Sequence, residues 1–276
     1  MPRPDIPVSV VIVTRNEEAR IESCLSALSC FSEIIVVDSG STDSTKILAE
    51  KSGARMIDFS WNGQYPKKRQ WCLDNIDLKH EWILFVDADE MVTAALMDEI
   101  ADVFKDKPDG AGYFIKGRYR RNGKILKYGL CNNKLALIDR RKMTFPVIDD
   151  LDLPGMGEIE GHYQPVLRPG FEGEKVGALK NHLIHDAYDD DEAWRARHER
   201  YAAWEAGMNR RRAWPRDPVR WRQNLKRLFR VMPGRPLWAF MHCYIVKLGF
   251  LDGKPGWHLA CSRASYYRMI KKAMRA

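Results

Sequence analysis

Nothing constrains this chain more than Trp82-Ile83-Leu84-Phe85-Val86, five consecutive apolar residues that stop abruptly at Asp87-Ala88-Asp89-Glu90. A run this apolar, bounded by acid, reads as a β-strand covered on both faces, which calls for helices above and below a mostly parallel sheet. In open sheets of that kind, ligands bind beyond the carboxyl ends of the strands. Asp87 and Asp89 stand there two residues apart, so with strand geometry maintained both would point the same way and engage one divalent ion. The plainer reading is a helix cap: Leu96, Ile100 and Phe104 recur at helical spacing, and Asp89 or Thr93 would cap that helix.

The alternation extends upstream. Residues 8–13 predict a first strand, and Ile21, Cys24, Leu25 and Leu28 a helix after it. Ile34-Ile35-Val36-Val37-Asp38 predicts a second strand, and the cap and turn residues Ser39 to Thr45 open a helix through Lys46, Ile47, Leu48 and Glu50. A third strand over 55–59, a helix over 66–76 and the fourth strand over 82–86 complete an α/β pattern with right-handed crossovers. After Pro108 come strands joined by turns, at 112–119, 124–128 and 134–138 around an Asn122-Gly123 hairpin signal, expected as an antiparallel edge. Residues 146–175, rich in Pro, Gly and acid, read as a long functional loop.

Charge divides the chain more sharply than its net +8 suggests. Residues 1–194 carry 25 Lys and Arg against 33 Asp and Glu, whereas residues 195–276 carry 20 against 4. The expected organisation is therefore a catalytic domain over 1–190 and a helical, basic, aromatic region over 191–276. Six cysteines without a C-x-x-C pair exclude a zinc ribbon and a thioredoxin-type site. No apolar h-region precedes the first strand, so the expectation is a cytoplasmic protein. The strand ends carry Thr14-Arg15-Asn16-Glu17-Glu18 and Asp38-Ser39-Gly40-Ser41-Thr42-Asp43 in place of a G-x-G-x-x-G or Walker loop. That excludes a dinucleotide fingerprint and suits hydrogen bonding to a base and ribose.

In order, Val11 to Glu18, Ile35 to Thr45 and Phe85 to Glu90 resemble the three successive signatures of family-2 inverting glycosyltransferases of the GT-A fold, over roughly the first hundred residues. The bacterial subgroup that includes lipopolysaccharide-core glucosyltransferases is the most similar, and Gly173 to His185 and Gly249 to Gly256 resemble segments typical of it. The resemblance implies a nucleotide pocket of Thr14, Arg15, Asn16, Glu17, Asp38, Ser41, Asp43, Asp87 and Ala88, joined by Lys68 and Gln70. It implies Mg2+ or Mn2+ on Asp89, with His185 as a further ligand. Lys67, Lys68 and Arg69 read equally as a solvated helix face. His182 and His185 are expected to point roughly alike along a strand. An inverting transfer needs a carboxylate base, for which Glu160 is chosen, then Glu158 and Asp150, with Asp149 and Asp152 as further loop acids. The subgroup's His-Glu pair is replaced here by the disturbed order Ile159-Glu160-Gly161-His162.

Residues 218–276 set Trp221, Leu225, Leu228 and Phe229 beside Arg220, Arg222, Lys226, Arg227 and Arg230, followed by an apolar run from Leu237 to Leu251. That run is shorter than the ~20 residues needed to cross a bilayer. It suits an anionic membrane surface; core packing or a homo-oligomer interface are the competing uses. Nucleic acid is not expected, since no recognised binding module is present. The implied function is inverting transfer of a sugar from a nucleotide diphospho-sugar, UDP-linked, to a hydroxyl of a lipid-linked or lipopolysaccharide-type acceptor, by a protein peripheral on the cytoplasmic face of the inner membrane. A nucleotidyltransferase is the rival enzyme, lacking here its Gly-rich, arginine-containing loop, and a catalytically silent membrane scaffold is the other alternative.

Overall fold

The βα alternation forms as β1 (Ile6–Thr14), α1 (Ile21–Ser26), β2 (Phe31–Asp38), α2 (Thr45–Lys51), β3 (Arg55–Asp58), α3 (Lys68–Asn75) and β4 (Trp82–Asp87). Then come β5 (Glu90–Val92), α4 (Ala94–Lys105), β6 (Gly112–Arg121), β7 (Lys124–Ile125), β8 (Asn132–Asp139), β9 (Met143–Thr144), β10 (Val166–Leu167) and β11 (Val176–His185). Four helices follow, α5 (Asp191–Arg211), α6 (Arg220–Val231), α7 (Arg235–Met241) and α8 (Lys254–Ala273), with a π-helical turn at His242–Val246 and a 3-10 turn at Gly249–Asp252. The computed structural model describes residues 5–160, 163–186 and 191–276. Two compact units emerge: Met1–Gly117 with Asn133–Phe145 and Gln164–His185, and Arg118–Asn132 with Pro146–Tyr163 and Asp186–Ala276.

In the first unit the sheet runs β3-β2-β1-β4-β8-β6-β11-β5. Strand β1 is parallel to β2 and to β4, and β2 is parallel to β3. The chain therefore reverses its direction of winding beside β1, and the crevice at the carboxyl ends of β1 and β4 is where such a sheet admits a ligand. Val10, Ile12, Val36, Leu84 and Val86 are fully buried in the core under it, which is why these strands read as unbroken apolar runs. The expected antiparallel edge is larger than an edge. Strand β8 pairs antiparallel with β4, and β6, β11 and β5 continue the sheet beyond it. Antiparallel pairing sets Leu183 against Val92, Ile184 against Met91 and His185 against Glu90.

Local details follow their residues. Thr93 is the cap of α4, its side chain accepting from the Leu96 amide, which settles the capping reading in its favour over Asp89. Asn122 and Gly123 both take positive φ, 49° and 73°, the pair needed by the tight hairpin between Arg121 and Lys124. The strand expected over 124–128 ends at Ile125 because the Lys127 and Tyr128 amides donate instead to the Asp252 carboxylate.

In the second unit Trp204 is fully buried and donates its indole N–H to Asp150 at 3.0 Å. Tyr266 of α8 donates to Glu205 of α5 at 2.9 Å. Among the described residues no helix is long and apolar enough to cross a membrane. The segment Gly249-Phe250-Leu251-Asp252-Gly253-Lys254-Pro255-Gly256 turns the chain into α8 by close backbone approach. A Cβ on Gly256 would stand 1.9 Å from the Gly249 carbonyl oxygen, so no side chain fits without moving backbone. Gly256→Ala is expected to cost about 3 kcal/mol, read as a lowered urea midpoint with an unchanged slope.

Candidate functional site

Register brings the first set of residues together. Thr14 pairs with Asp38, and Val13 with Asp87, so the three strand ends form one carboxyl edge. Two loops above it are stitched to each other. Asn16, at φ 55°, donates its amide to Ser41 Oγ at 2.8 Å and accepts at its side chain from the Thr42 amide at 2.8 Å. The Glu17 amide donates to Thr45 Oγ1 at 2.8 Å, and the Ser44 amide donates to the Glu18 carboxylate at 2.9 Å. Asp38, buried, accepts from the Ser41 amide at 2.8 Å and from its hydroxyl. Asp43 accepts from the Thr45 amide at 3.0 Å and from the Glu18 amide at 3.2 Å. Most of the polar groups in these motifs therefore hold the loops in place. Arg15 is exposed, and the Thr14 and Ser39 hydroxyls are buried without a hydrogen-bond partner among the described residues, which leaves both able to bond a ligand.

Beyond β4 lies a buried ionic cluster. Strand geometry ends at Asp87, and the ion pairs of the two aspartates are made with different side chains. Asp87 pairs with Arg69 at 2.7 Å and with Lys134 at 3.0 Å. Asp89 meets His185 Nε2 at 3.3 Å. Glu90, fully buried, pairs with Lys134 and accepts from the Asp87 amide at 2.9 Å. Burial works against every ion here, and the neighbours decide the outcome. Burial raises Asp87, yet Lys134 and Arg69 outweigh it and hold the carboxyl well below the usual range. Burial raises Glu90 and prevails over Lys134, with Asp87 adding to the rise. Burial raises Asp89, but the hydrogen bond and charge of His185 bring it below its ordinary value. Burial lowers His185, and Asp89 more than reverses this, so the imidazole binds its proton more tightly than usual. Arg69 and Lys134 thus serve Asp87 and Glu90, and the His185 imidazole serves Asp89.

Several expectations change. Lys67 and Lys68 are 1% and 3% exposed, their ammonium groups 5.7 and 5.6 Å from the Tyr65 and Phe59 rings, and Arg69 pairs with Asp87, so this is no solvated face. Gln70 accepts from Thr144 Oγ1 at 3.0 Å and from the Phe145 amide at 2.8 Å, tying α3 to β9. His182 and His185, three apart on β11, fall on opposite faces because a strand alternates with period two. His185 shares the parity of buried Leu179 and Leu183. Ala88 is buried between the two aspartates. The second unit holds the proposed bases: Glu160 is 1% exposed, Asp150 is buried against Trp204, and Glu158 is half-buried. Asp149 and Asp152 are held by Arg211 at 3.2 and 2.7 Å. Gly161 and His162 lie outside the described residues. Lys134 went unforeseen, since a lone lysine at the start of a strand carries no signal of burial.

Removing that ammonium takes from the fully buried Glu90 its ion-pair partner and leaves it beside the Asp87 carboxylate. Lys134→Ala is expected to cost about 3–5 kcal/mol in urea unfolding at neutral pH. The cost should shrink as the pH is lowered and the stranded carboxyls take up protons.

The family model described as glycosyl transferase family 2 matches residues 9–171. An uncharacterized glycosyltransferase of Rickettsia bellii is 41% identical over 98 residues, 35% of this chain and 32% of its own length. The lipopolysaccharide core biosynthesis glycosyltransferase LpsC of Rhizobium meliloti is 30% identical over 131 residues, 46% of each chain. The chain thus spans about a third to a half of the length of these curated relatives. Among solved structures, the mannosyltransferase PcManGT of Pyrobaculum calidifontis, in complex with GDP-Man and Mn2+, superposes with a TM-score of 0.54 at 15% identity, over 99% of this chain and 87% of that one. That likeness is one of fold, and the fold is GT-A. With its family match covering more than half of its residues, the chain belongs to glycosyl transferase family 2.

Proposed function

We propose that the protein is an inverting glycosyltransferase, moving a sugar from a nucleotide diphospho-sugar, UDP-linked, to a hydroxyl of a lipid-linked or lipopolysaccharide-type acceptor at the cytoplasmic face of the inner membrane. One observation carries this reading: at the switch point of the sheet, Asp87 and Glu90 are already neutralised while Asp89 stands 3.3 Å from His185. Family membership and the similarity to LpsC support the transfer and the acceptor class. The neighbour PcManGT supports a nucleotide-sugar with a divalent ion, although its own nucleotide is guanosine-based.

A divalent ion fits the donor set. Among the described residues no three His, Cys, Asp or Glu side chains gather into a metal cage, but one carboxylate and one imidazole suffice where a diphosphate and water complete the shell. Asp89 and His185 would hold the ion. The imidazole favours Mn2+ over Mg2+, whose ligands are oxygens. When bound, the ion supplies Lewis-acid neutralisation of the departing diphosphate. The chain's own groups do the rest. The Thr14 and Ser39 hydroxyls bond the nucleotide, and the stitched loops exclude its motion. Glu160 takes the proton of the acceptor hydroxyl as its oxygen attacks the anomeric carbon from the face opposite the leaving group, which inverts that centre. Asp150, committed to the Trp204 indole, is the weaker candidate.

Calorimetric titration with UDP and GDP, each with and without Mn2+, tests the donor: metal-dependent binding of UDP is the expected result, lost in Asp89→Ala. Binding of GDP alone would reassign the base, and no binding of either would favour the silent scaffold. Because His185 holds a proton more tightly than usual and must release it to a metal, Mn2+ affinity should rise with pH through its raised pKa and fall below it. Glu160→Gln should lower transfer by about 10²–10⁴-fold with nucleotide affinity intact; undiminished transfer would pass the role to Glu158.

A further inference from the structure

Helix α6 is built inside out. Three of its five charged residues face the protein: Arg222 and Lys226 reach the Asp217 carboxylate, itself 1% exposed, at 3.4 and 2.6 Å. The Arg230 guanidinium lies 4.0 Å over the Trp214 ring, and Phe229 packs edge-on against Tyr267 at 5.1 Å. Its apolar residues face outward. Trp221, Leu225, Leu228 and Val231 are 64%, 56%, 57% and 80% exposed. At about 100° per residue Trp221, Leu225 and Leu228 share one arc, with Arg220 and Arg227 along its flank. These two arginines are exposed and line, with Arg216 and Gln223, a depression of about 260 Å³. In the same unit Leu237, Trp238, Val246 and Leu251 are also exposed.

An apolar stripe turned to water is unfavourable by itself and marks a surface made to be covered. Charge selects what covers it. From residue 218 onward the chain holds 13 Lys and Arg against one acid, Asp252. A second copy would bring the same positive field, and a stripe one helix wide falls short of the ~1,200 Å² that a stable protein interface buries. An anionic bilayer complements both features, receiving the apolar arc among its headgroups and pairing its phosphates with Arg220 and Arg227.

We infer that α6 lies in the bilayer interface and docks this chain on anionic lipid, with Trp221, Leu225 and Leu228 inserted and Arg220 and Arg227 on the phosphates. This deepens the proposed function and rests on its lipid-linked acceptor for its purpose. The test uses the full chain without donor or acceptor, sedimented with vesicles of phosphatidylcholine alone or mixed with phosphatidylglycerol. Sedimentation with the mixed vesicles is expected, weakened on the order of a hundredfold in the double variant Leu225→Asp, Leu228→Asp, with Mn2+-dependent nucleotide binding and circular dichroism unchanged. Arg220→Glu with Arg227→Glu should remove the preference for the anionic vesicles. A wild-type chain that stays in the supernatant, a leucine variant that sediments like wild type, or light scattering showing that variant splitting a dimer with lipid binding unaltered would each overturn the inference. Sedimentation that persists in a chain binding no nucleotide would remove the transferase reading and keep the anchor.

Discussion

Three carboxylates converge at the end of β4, one of them, Glu90, fully buried, and so close together they do not all stay ionised without compensation. Lys134 meets two of them, Asp87 at 3.0 Å and Glu90 beside it, and Arg69 meets Asp87 from the other side. A buried ion pair is a weak source of net stability, because desolvation offsets most of the attraction, while its loss is costly. What the arrangement secures is therefore selectivity of charge. Asp87 is kept ionised and occupied, Glu90 is held under the turn, and Asp89 is left to the His185 imidazole at the end of β11. Pairing of His185 with Glu90 across the sheet is what delivers it.

How far this was legible in the chain depends on the kind of interaction. Strand ends announce themselves, because five apolar residues followed by acid admit few other readings, and Thr14, Asp38 and Asp87 fall on one edge as soon as three parallel strands are drawn. Asp89 with His185 was expected from family resemblance alone, since nothing in the spacing links residues 89 and 185. The burial of Lys67 and Lys68 and the pairing of Lys134 were not legible: lysine is almost never fully buried, and the pairs of Lys134 with Asp87 and Glu90, made between strands distant in sequence, leave no local pattern. The two histidines show the reverse case. Their opposite faces follow from strand alternation alone, and the expectation that they point alike misread a spacing of three.

The C-terminal motif illustrates how a segment typical of a subgroup can be architectural. Asp252 is buried and receives the Lys127 and Tyr128 amides at 3.2 and 2.8 Å. The glycines around it permit backbone contacts that any side chain would break, Gly249 against Cys243 and Gly256 against Gly249. An aspartate flanked by glycines can look like part of a catalytic or phosphate-binding loop. Here its oxygens are consumed by main-chain donors, and the segment positions α8, on which Tyr266 and Tyr267 close over α5 and α6.

The orientation of α6 escapes sequence patterning for a related reason. An amphipathic pattern specifies two faces and leaves open which one is inside. In a water-soluble domain the apolar arc turns in, and here a single buried acid decides otherwise: Asp217 draws Arg222 and Lys226 toward it, Trp214 receives Arg230, and the arc that remains points out. Reversing the helix would strand Asp217 without its cations in a site that water does not reach, at a cost comparable to breaking any buried pair. The exposed leucines are thus enforced from beneath. An anionic surface would act on such a chain unevenly, attracting the strongly basic C-terminal stretch and repelling the acidic residues 1–194. The segregation of charge along the sequence and the inversion of one helix are two separate features on which the inferred docking to anionic lipid would draw together.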